Sequence, residues 1–378
     1  MLFRRKRQAF DSADRFPSVP PDVPLLEVGE ARTYFETSRG PVRAVDGVTL
    51  SLDRGRTLGI VGESGCGKTV LSRSIMGLLP KHNVTRSGTV KFEGQEIGTW
   101  GPDQMRPLWG TQMAMVFQDP MTSLNPVMNI GHQITEPLLY HFDISRGYAK
   151  DLAVALLQSV GIPEPERRLK QYPHELSGGM RQRVMIAIAI ACGPKLLFAD
   201  EPTTALDVTV QAQILDLLQT QQRDRYMAMA LVTHDLGVVA GRTDDIAVMY
   251  AGRIVERAPT NVLFSQPRMP YTEALMASIP KLGDRSHTRL ATIPGRPPNL
   301  LNPPQGCKFS PRCAYVQDKC RVEEPPLRPG PDGKHEFACW FPVGTPEGNA
   351  AFESNKKAGL AAVQARLGAD TVAAERVN

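Results

Sequence analysis

The sequence predicts an α/β protein built on a mostly parallel sheet with helices on both faces. Short apolar runs at 58–61, 195–199 and 228–232 read as buried strands. Each runs straight into residues that carry chemistry: a glycine-rich loop, the pair Asp200-Glu201, and Thr233-His234-Asp235. Stretches of helical periodicity at 69–79, 177–192 and 210–223 separate the runs.

In chain order, residues 1–24 read as a disordered basic and Pro-rich arm, with Arg4-Arg5-Lys6-Arg7 ahead of Pro17, Pro20, Pro21 and Pro24. From Leu25 the text turns strand-like through Leu26, Val28, Tyr34-Phe35 and the alternating stretch 42–52. Residues 119–175 lack a strand signal, and 133–140 and 148–160 read as helices, so a helical insertion interrupts the sheet pattern. The sheet pattern ends near residue 258. Residues 291–333 are dense in Pro and Gly and hold cysteines, which predicts a small loop-rich module over 259–345. The tail 346–378, rich in Ala, Lys and Glu, reads as a helix or a frayed end.

Composition narrows the function classes. At 42% hydrophobic and 22% charged residues, wholesale disorder is excluded. The net charge of +5 is mild and, outside the arm, unclustered, so nothing points to nucleic acid. No run approaches the ~20 apolar residues of a membrane-spanning helix, and the basic start lacks the apolar stretch of a secretory signal. Any membrane role is therefore expected to come through partners. The six cysteines sit in a chain otherwise of cytosolic character, which argues against structural disulfides.

Gly62-Glu63-Ser64-Gly65-Cys66-Gly67-Lys68-Thr69 fits G-x-x-x-x-G-K-[ST] between a strand and a helix. Glycines let successive N–H groups curl around phosphate oxygens, and the helix N-terminus favours the anion. Lys68 is placed to reach the β- and γ-phosphates, and the Thr69 hydroxyl to bind Mg2+. Asp200 and Glu201 end an apolar strand, at the sheet edge where ligands of parallel sheets bind. Asp200 suits Mg2+, which demands oxygen ligands; Glu201 suits the orientation of an attacking water.

Leu176-Ser177-Gly178-Gly179-Met180-Arg181-Gln182-Arg183 resembles the LSGGQ signature of ABC ATPases, with Met180 in the usual Gln position. Ser177 is a good N-cap, and Gly178 and Gly179 permit close backbone approach to an anion. The resemblance covers about residues 25–340. It implies a P-loop NTPase core over 25–258, with an antiparallel β subdomain and a helical subdomain at about 119–192. It further implies that Gln118, in Val116-Phe117-Gln118-Asp119-Pro120, is the Q-loop residue, which contacts Mg2+ and the water. Ala205-Leu206-Asp207 would be the D-loop and His234 the switch histidine. Phe35 would stack on adenine, with Tyr34 as the alternative. The implied activity is ATP hydrolysis coupled to transport. Ser177, Gly178 and Gly179 would complete the ATP site of a second ABC ATPase, identical or paralogous.

Pro270-Tyr271-Thr272, Ile293-Pro294-Gly295 and Gly306-Cys307-Lys308-Phe309-Ser310-Pro311-Arg312-Cys313 resemble the tail of the oligopeptide, dipeptide and nickel importer branch. That branch implies import of di- or oligopeptides, with nickel or another small solute as the alternative. It also implies two transmembrane permease subunits, an extracytoplasmic solute-binding protein, and a peripheral place on the cytoplasmic face of the membrane. A soluble, non-transport ABC ATPase is the reading from another class. Cys307, Cys313, Cys320 and Cys339 lack the paired C-x-x-C of common zinc sites. Four thiolates are the ligand set of a 4Fe-4S cluster, which the branch implies; zinc or free thiols stay open. Cys66 and Cys192 read as structural.

Overall fold

A computed structural model describes residues 23–80, 82–204, 206–279, 293–331 and 333–364. Residues 1–22 of the basic arm, Ala205 of the expected D-loop and the last residues of the tail lie outside the described residues.

Two sheets meet. Strands Leu26–Thr37, Gly40–Leu52, Val84–Phe92 and Gln95–Glu96 form an antiparallel sheet in which the first strand pairs with both the second and the third. This is the expected antiparallel subdomain. In the second sheet, Thr57–Val61 lies between Ala228–Thr233 and Asp245–Tyr250, all parallel; Leu196–Asp200 and Met113–Val116 extend it on one side. The strands Thr57–Val61, Leu196–Asp200 and Ala228–Thr233 are buried at every position, which is why they read as unbroken apolar runs. Their register sets Val61 beside Thr233 and Asp200 beside Val232. The three strands therefore deliver the glycine loop, the acidic pair and the histidine to one sheet edge.

The helical insertion forms as expected. Ile130–His141 and Arg146–Ser159 are capped by the side chains of Asn129 and Ser145, which accept from His132 N and Tyr148 N. Their buried faces, Ile130, Ile134 and Leu138 against Ala149, Ala153, Leu156 and Leu157, follow helical spacing. The helix Gly178–Ile190 returns the chain to the sheet.

The C-terminal module is less separate than its composition predicts. Arg253–Pro259 pairs antiparallel with Glu336–Phe337, which pairs with Arg328–Pro329, so the module lengthens the main sheet. Phe309, Cys313, Tyr315 and Cys339 belong to the same apolar core as the parallel strands. Glu256, fully buried on its strand, fastens the junction. It accepts from the N–H groups of Arg268 (2.6 Å) and Met269 (3.2 Å) and contacts His335 Nε2 at 2.7 Å. Beyond residue 345 the chain is helical over Pro346–Lys357, capped by Thr345. Ala351 and Phe352 are buried, and Asn355 Nδ2 donates to the Ala314 and Val316 carbonyls, each at 2.9 Å. These contacts give the first part of the tail a packed face.

Candidate functional site

The loop Gly62–Gly67 turns from the strand Thr57–Val61 into the helix Lys68–Ile75. Gly65 and Gly67 take φ of +80° and +107°, left-handed values that a side chain would strain. A Cβ on Gly67 would lie 2.0 Å from the Ala44 carbonyl oxygen, and one on Gly62 would lie 2.1 Å from that of Met249. Glycine is thus required sterically at both ends of the loop.

Lys68 is 4% exposed. Its ammonium donates to the carbonyls of Gly62 (2.7 Å) and Glu63 (3.1 Å) and stands 3.9 Å from Glu201 Oε1. The cation is held inside the loop, where the anion of a phosphate can displace the carbonyls. Cys66 is buried beside it, and burial pushes its thiol above the usual range, so it packs as an apolar residue.

Thr69 Oγ1 donates to Asp200 Oδ1 at 3.0 Å. Asp200 is fully buried, and its Oδ2 has no partner among the described residues. Burial raises its carboxyl above the usual carboxylate range; the Thr69 hydroxyl opposes this. A buried, half-partnered carboxylate beside a hydroxyl is an oxygen donor set suited to a hard divalent cation.

Glu201 adopts φ +45°, uncommon for a residue with a side chain, while its N–H still donates to the Val232 carbonyl at 2.9 Å. Its carboxylate takes partners different from the Thr69 hydroxyl held by Asp200. Gln118 Nε2 and the Thr204 hydroxyl each donate to Glu201 Oε2 at 2.9 Å, and His234 Nδ1 lies 3.3 Å from the same oxygen. Two residues distant in sequence, Gln118 and His234, and the nearby Thr204 converge on one carboxylate. Such a set can hold a water against a phosphate and accept its proton.

Thr204 was invisible in the sequence, since a threonine after Pro202-Thr203 gives no signal until Glu201 turns towards it. Tyr271 and Arg312 stood in noted segments without a role, yet both touch the loop. The Glu63 N–H donates to Tyr271 Oη at 2.8 Å, and Arg312 pairs with the Glu63 carboxylate.

Not every expected residue joins this cluster. Ser177 caps the helix Gly178–Ile190, accepting from Met180 N, and Gly178 and Gly179 face Leu206 and Val210. The segment thus packs on the start of the helix Val208–Arg225, which Asp207 caps, and not on the glycine loop. Phe35 and Tyr34 are both half-buried on the strand Leu26–Thr37. The Tyr34 hydroxyl is committed to Asp46, donating to Oδ1 at 2.6 Å.

Cys307, Cys313, Cys320 and Cys339 are free thiols around one small cavity, closed partly by Met269 and Pro270. Burial raises all four, Cys307 to about 11. Among the described residues, no group of three or more Cys, His, Asp or Glu is arranged to hold a metal ion. No described helix is long and apolar enough to cross a membrane.

Known proteins of one family resemble this chain. A family profile described as "ABC transporter" matches residues 45–204, and one described as "Oligopeptide/dipeptide transporter, C-terminal region" matches 255–320. The chain is similar to the oligopeptide transport ATP-binding protein OppD of Bacillus subtilis, at 51% identity over 80% of this chain and 85% of that one. It is 47% identical to the dipeptide transport ATP-binding protein DppD of Escherichia coli, over 84% and 97%. Among solved structures it resembles CbiO1 of Clostridium perfringens, part of the transporter complex cbiONQ, with TM-score 0.54 and 26% identity over 64% and 91%. The fold alone is shared with the ATP-binding cassette MJ0796 (TM-score 0.57, 24% identity, 62% and 98%).

Because the Asp200 carboxyl lies above its usual range, its charge costs the nucleotide-free fold stability. The cost is absent below the unfolded-state value and complete once the pH passes the folded one. Asp200→Asn is expected to raise the melting temperature of the nucleotide-free chain at pH 8 by a few degrees, equivalent to about 1 kcal/mol, with a smaller gain at pH 4. The same variant is expected to lose Mg2+-dependent strengthening of ATP binding. Melting curves at both pH values and ATP titrations with and without Mg2+ check this.

Proposed function

We propose that this chain, which belongs to the ABC transporter family and to its oligopeptide and dipeptide ATP-binding branch, is the ATP-hydrolysing subunit of a peptide importer. The observation that carries the ATPase reading is the convergence of Gln118, Thr204 and His234 on the Glu201 carboxylate beside a buried Lys68. Peptide as the solute rests on the relatives, which are named for oligopeptide and dipeptide transport. Nickel or another small solute is the alternative within the branch.

In this reading the loop Gly62–Thr69 binds the phosphates through its N–H groups and Lys68, and Phe35 stacks on adenine. Thr69 and Asp200, with Gln118, would hold Mg2+, which supplies neutralising charge to the phosphates. The free, buried oxygen of Asp200 supports that assignment. Glu201 orients the attacking water and takes its proton. His234 and Gln118, both within reach of that carboxylate, keep it pointed at the γ-phosphate. Their hydrogen bonds couple the state of the site to the segment after Gln118, where Met121 and Val127 are 61% and 79% exposed. Exposed apolar side chains there suit contact with a membrane subunit.

Ser177, Gly178 and Gly179 face away from the chain's own loop, which suits completion of a second subunit's ATP site. Two ATPase subunits, two permease subunits and a solute-binding protein outside the membrane make up the proposed assembly, with this chain peripheral on the cytoplasmic side. Among the cysteines, a 4Fe-4S cluster spreads four thiolates around a larger body than one ion, and so asks only that all four line a common cavity. That Cys307, Cys313, Cys320 and Cys339 line one cavity is the observation behind this assignment. The cluster's own contribution would be to tie together a stretch with few regular elements.

Glu201→Gln is expected to leave ATP binding intact and to cut turnover by about 10² or more; near-normal turnover removes Glu201 from the hydrolytic role. Purified from membranes, the full chain should bring down two polytopic proteins, and recovery without them would favour a non-transport ATPase. Anaerobic preparations should contain about four irons with matching acid-labile sulfide per chain. Zinc, or no metal, would refute the cluster.

A further inference from the structure

The segment between Cys307 and Cys313 reaches the glycine loop through a contact that the hydrolytic reading does not use. Arg312 closes the single turn Ser310–Arg312, and its side chain is buried. Its Nη1 donates to Glu63 Oε2 at 2.6 Å and its Nη2 to Glu63 Oε1 at 2.9 Å. This is the two-pronged geometry in which a guanidinium binds a carboxylate most strongly. The remaining bonds run from Nη1 to Tyr250 Oη (3.3 Å), from Nε to the Pro294 carbonyl (2.9 Å) and from Nη2 to the Ile293 carbonyl (3.4 Å). All five N–H groups of the guanidinium have an acceptor, so its plane and direction are fixed.

Glu63 is the second residue of the loop and is held from three sides. Arg312 takes its carboxylate, Tyr271 Oη accepts from its N–H at 2.8 Å, and Lys68 donates to its carbonyl at 3.1 Å. Two of the three grips come from the C-terminal module. Those grips rise from the walls of the thiol cavity: Met269 and Pro270, next to Tyr271, line it, as do Cys307 and Cys313, which flank Arg312. Tyr250, Tyr271 and Phe309 fill the space between cavity and loop, with ring centroids 4.5 to 5.3 Å apart. Beside Cys307, Lys308 donates to Asp46 Oδ2 at 3.0 Å and to the Ala251 carbonyl at 3.1 Å. One short segment therefore grips the loop through Arg312 and the antiparallel sheet through Lys308.

An ion pair between exposed side chains contributes little, because water competes and two flexible chains must be ordered. Here the guanidinium is already ordered and buried, and its partner belongs to the loop. The pair therefore acts on the conformation of Gly62–Gly67, whose N–H groups must point inward to meet phosphate.

We propose that Arg312 is a positioning residue for the phosphate loop, through which the cysteine-flanked segment sets nucleotide affinity. The proposal rests on the reading that residues 62–69 hold the phosphates. Coupling between two sites is reciprocal, so nucleotide on the loop must stabilise the segment 307–313 by the same factor that the segment strengthens nucleotide binding.

The test uses the full chain with Mg-ADP and four variants: Arg312→Gln, Arg312→Lys, Glu63→Gln and Lys68→Ala. Nucleotide Kd and the KM and kcat for ATP are measured alongside amide exchange of residues 305–315 with and without ADP. Arg312→Gln is expected to weaken ADP binding about tenfold, the loss falling on KM more than on kcat. Arg312→Lys, which keeps the charge and loses the fork, should lie between. ADP should slow exchange of 307–313 in the unmodified chain and not in Arg312→Gln. Glu63→Gln tests the same pair from the loop side without touching the module, and should reproduce the affinity loss even where Arg312→Gln does not fold. Unchanged affinity in Glu63→Gln and in every folded Arg312 variant, or no effect of ADP on exchange of 307–313 in the unmodified chain, overturns the proposal when Lys68→Ala abolishes binding. Retained binding in Lys68→Ala overturns the phosphate-site reading instead.

Discussion

The glycine loop passes between two backbone carbonyls that belong to different sheets. The Ala44 carbonyl comes from the antiparallel sheet and that of Met249 from the parallel one, and neither leaves room for a Cβ on Gly67 or Gly62. The loop is therefore held between the two sheets, close to where the Asp46 N–H of one donates to the Gly252 carbonyl at 2.8 Å. That constraint fixes where the helix Lys68–Ile75 begins, and so where Lys68 and Thr69 point. Asp200 ends the strand Leu196–Asp200 and Glu201 follows it, with Ala228–Thr233 lying between that strand and Thr57–Val61 and setting its register. Without the close passage of the loop, the same residues would exist at the sheet edge with no common centre.

Around that centre stand one buried ammonium and two carboxylates. Lys68 is satisfied by loop carbonyls that a phosphate can replace. Asp200 is buried with one oxygen free and its carboxyl raised, which in the absence of a cation is a cost to the fold. Glu201 lies in left-handed backbone and gathers three polar groups on one oxygen. Two adjacent carboxylates thus hold different partners, Thr69 for the first and Gln118, Thr204 and His234 for the second.

The C-terminal module is continuous with the core and not an appendage. It adds strands to the main sheet, fastens through buried Glu256 and His335, and returns polar side chains to the loop region. A stretch dense in proline and glycine cannot form long helices or strands, so its order comes from packing on what is already folded. The buried thiols, Phe309 and Tyr315 supply that packing.

The sequence by itself determined the strands at 58–61, 195–199 and 228–232, the glycine loop, the signature segment and the two helices of the insertion. These signals are local, since apolar runs, caps and glycine spacing act over a few residues. It also indicated the family, through motifs whose order along the chain is as informative as their content. It did not reveal the strands Met113–Val116 and Asp245–Tyr250, the role of Thr204, or the partnership of Arg312 with Glu63. The two strands and the Arg312–Glu63 pair depend on residues far apart in the chain meeting at one place, whereas Thr204 meets Glu201 through a local turn. An arginine between two cysteines and a glutamate in a glycine loop carry no mark of each other in the text. Only the closure of the module over the sheet brings guanidinium and carboxylate within hydrogen-bonding distance, and burial makes that contact matter.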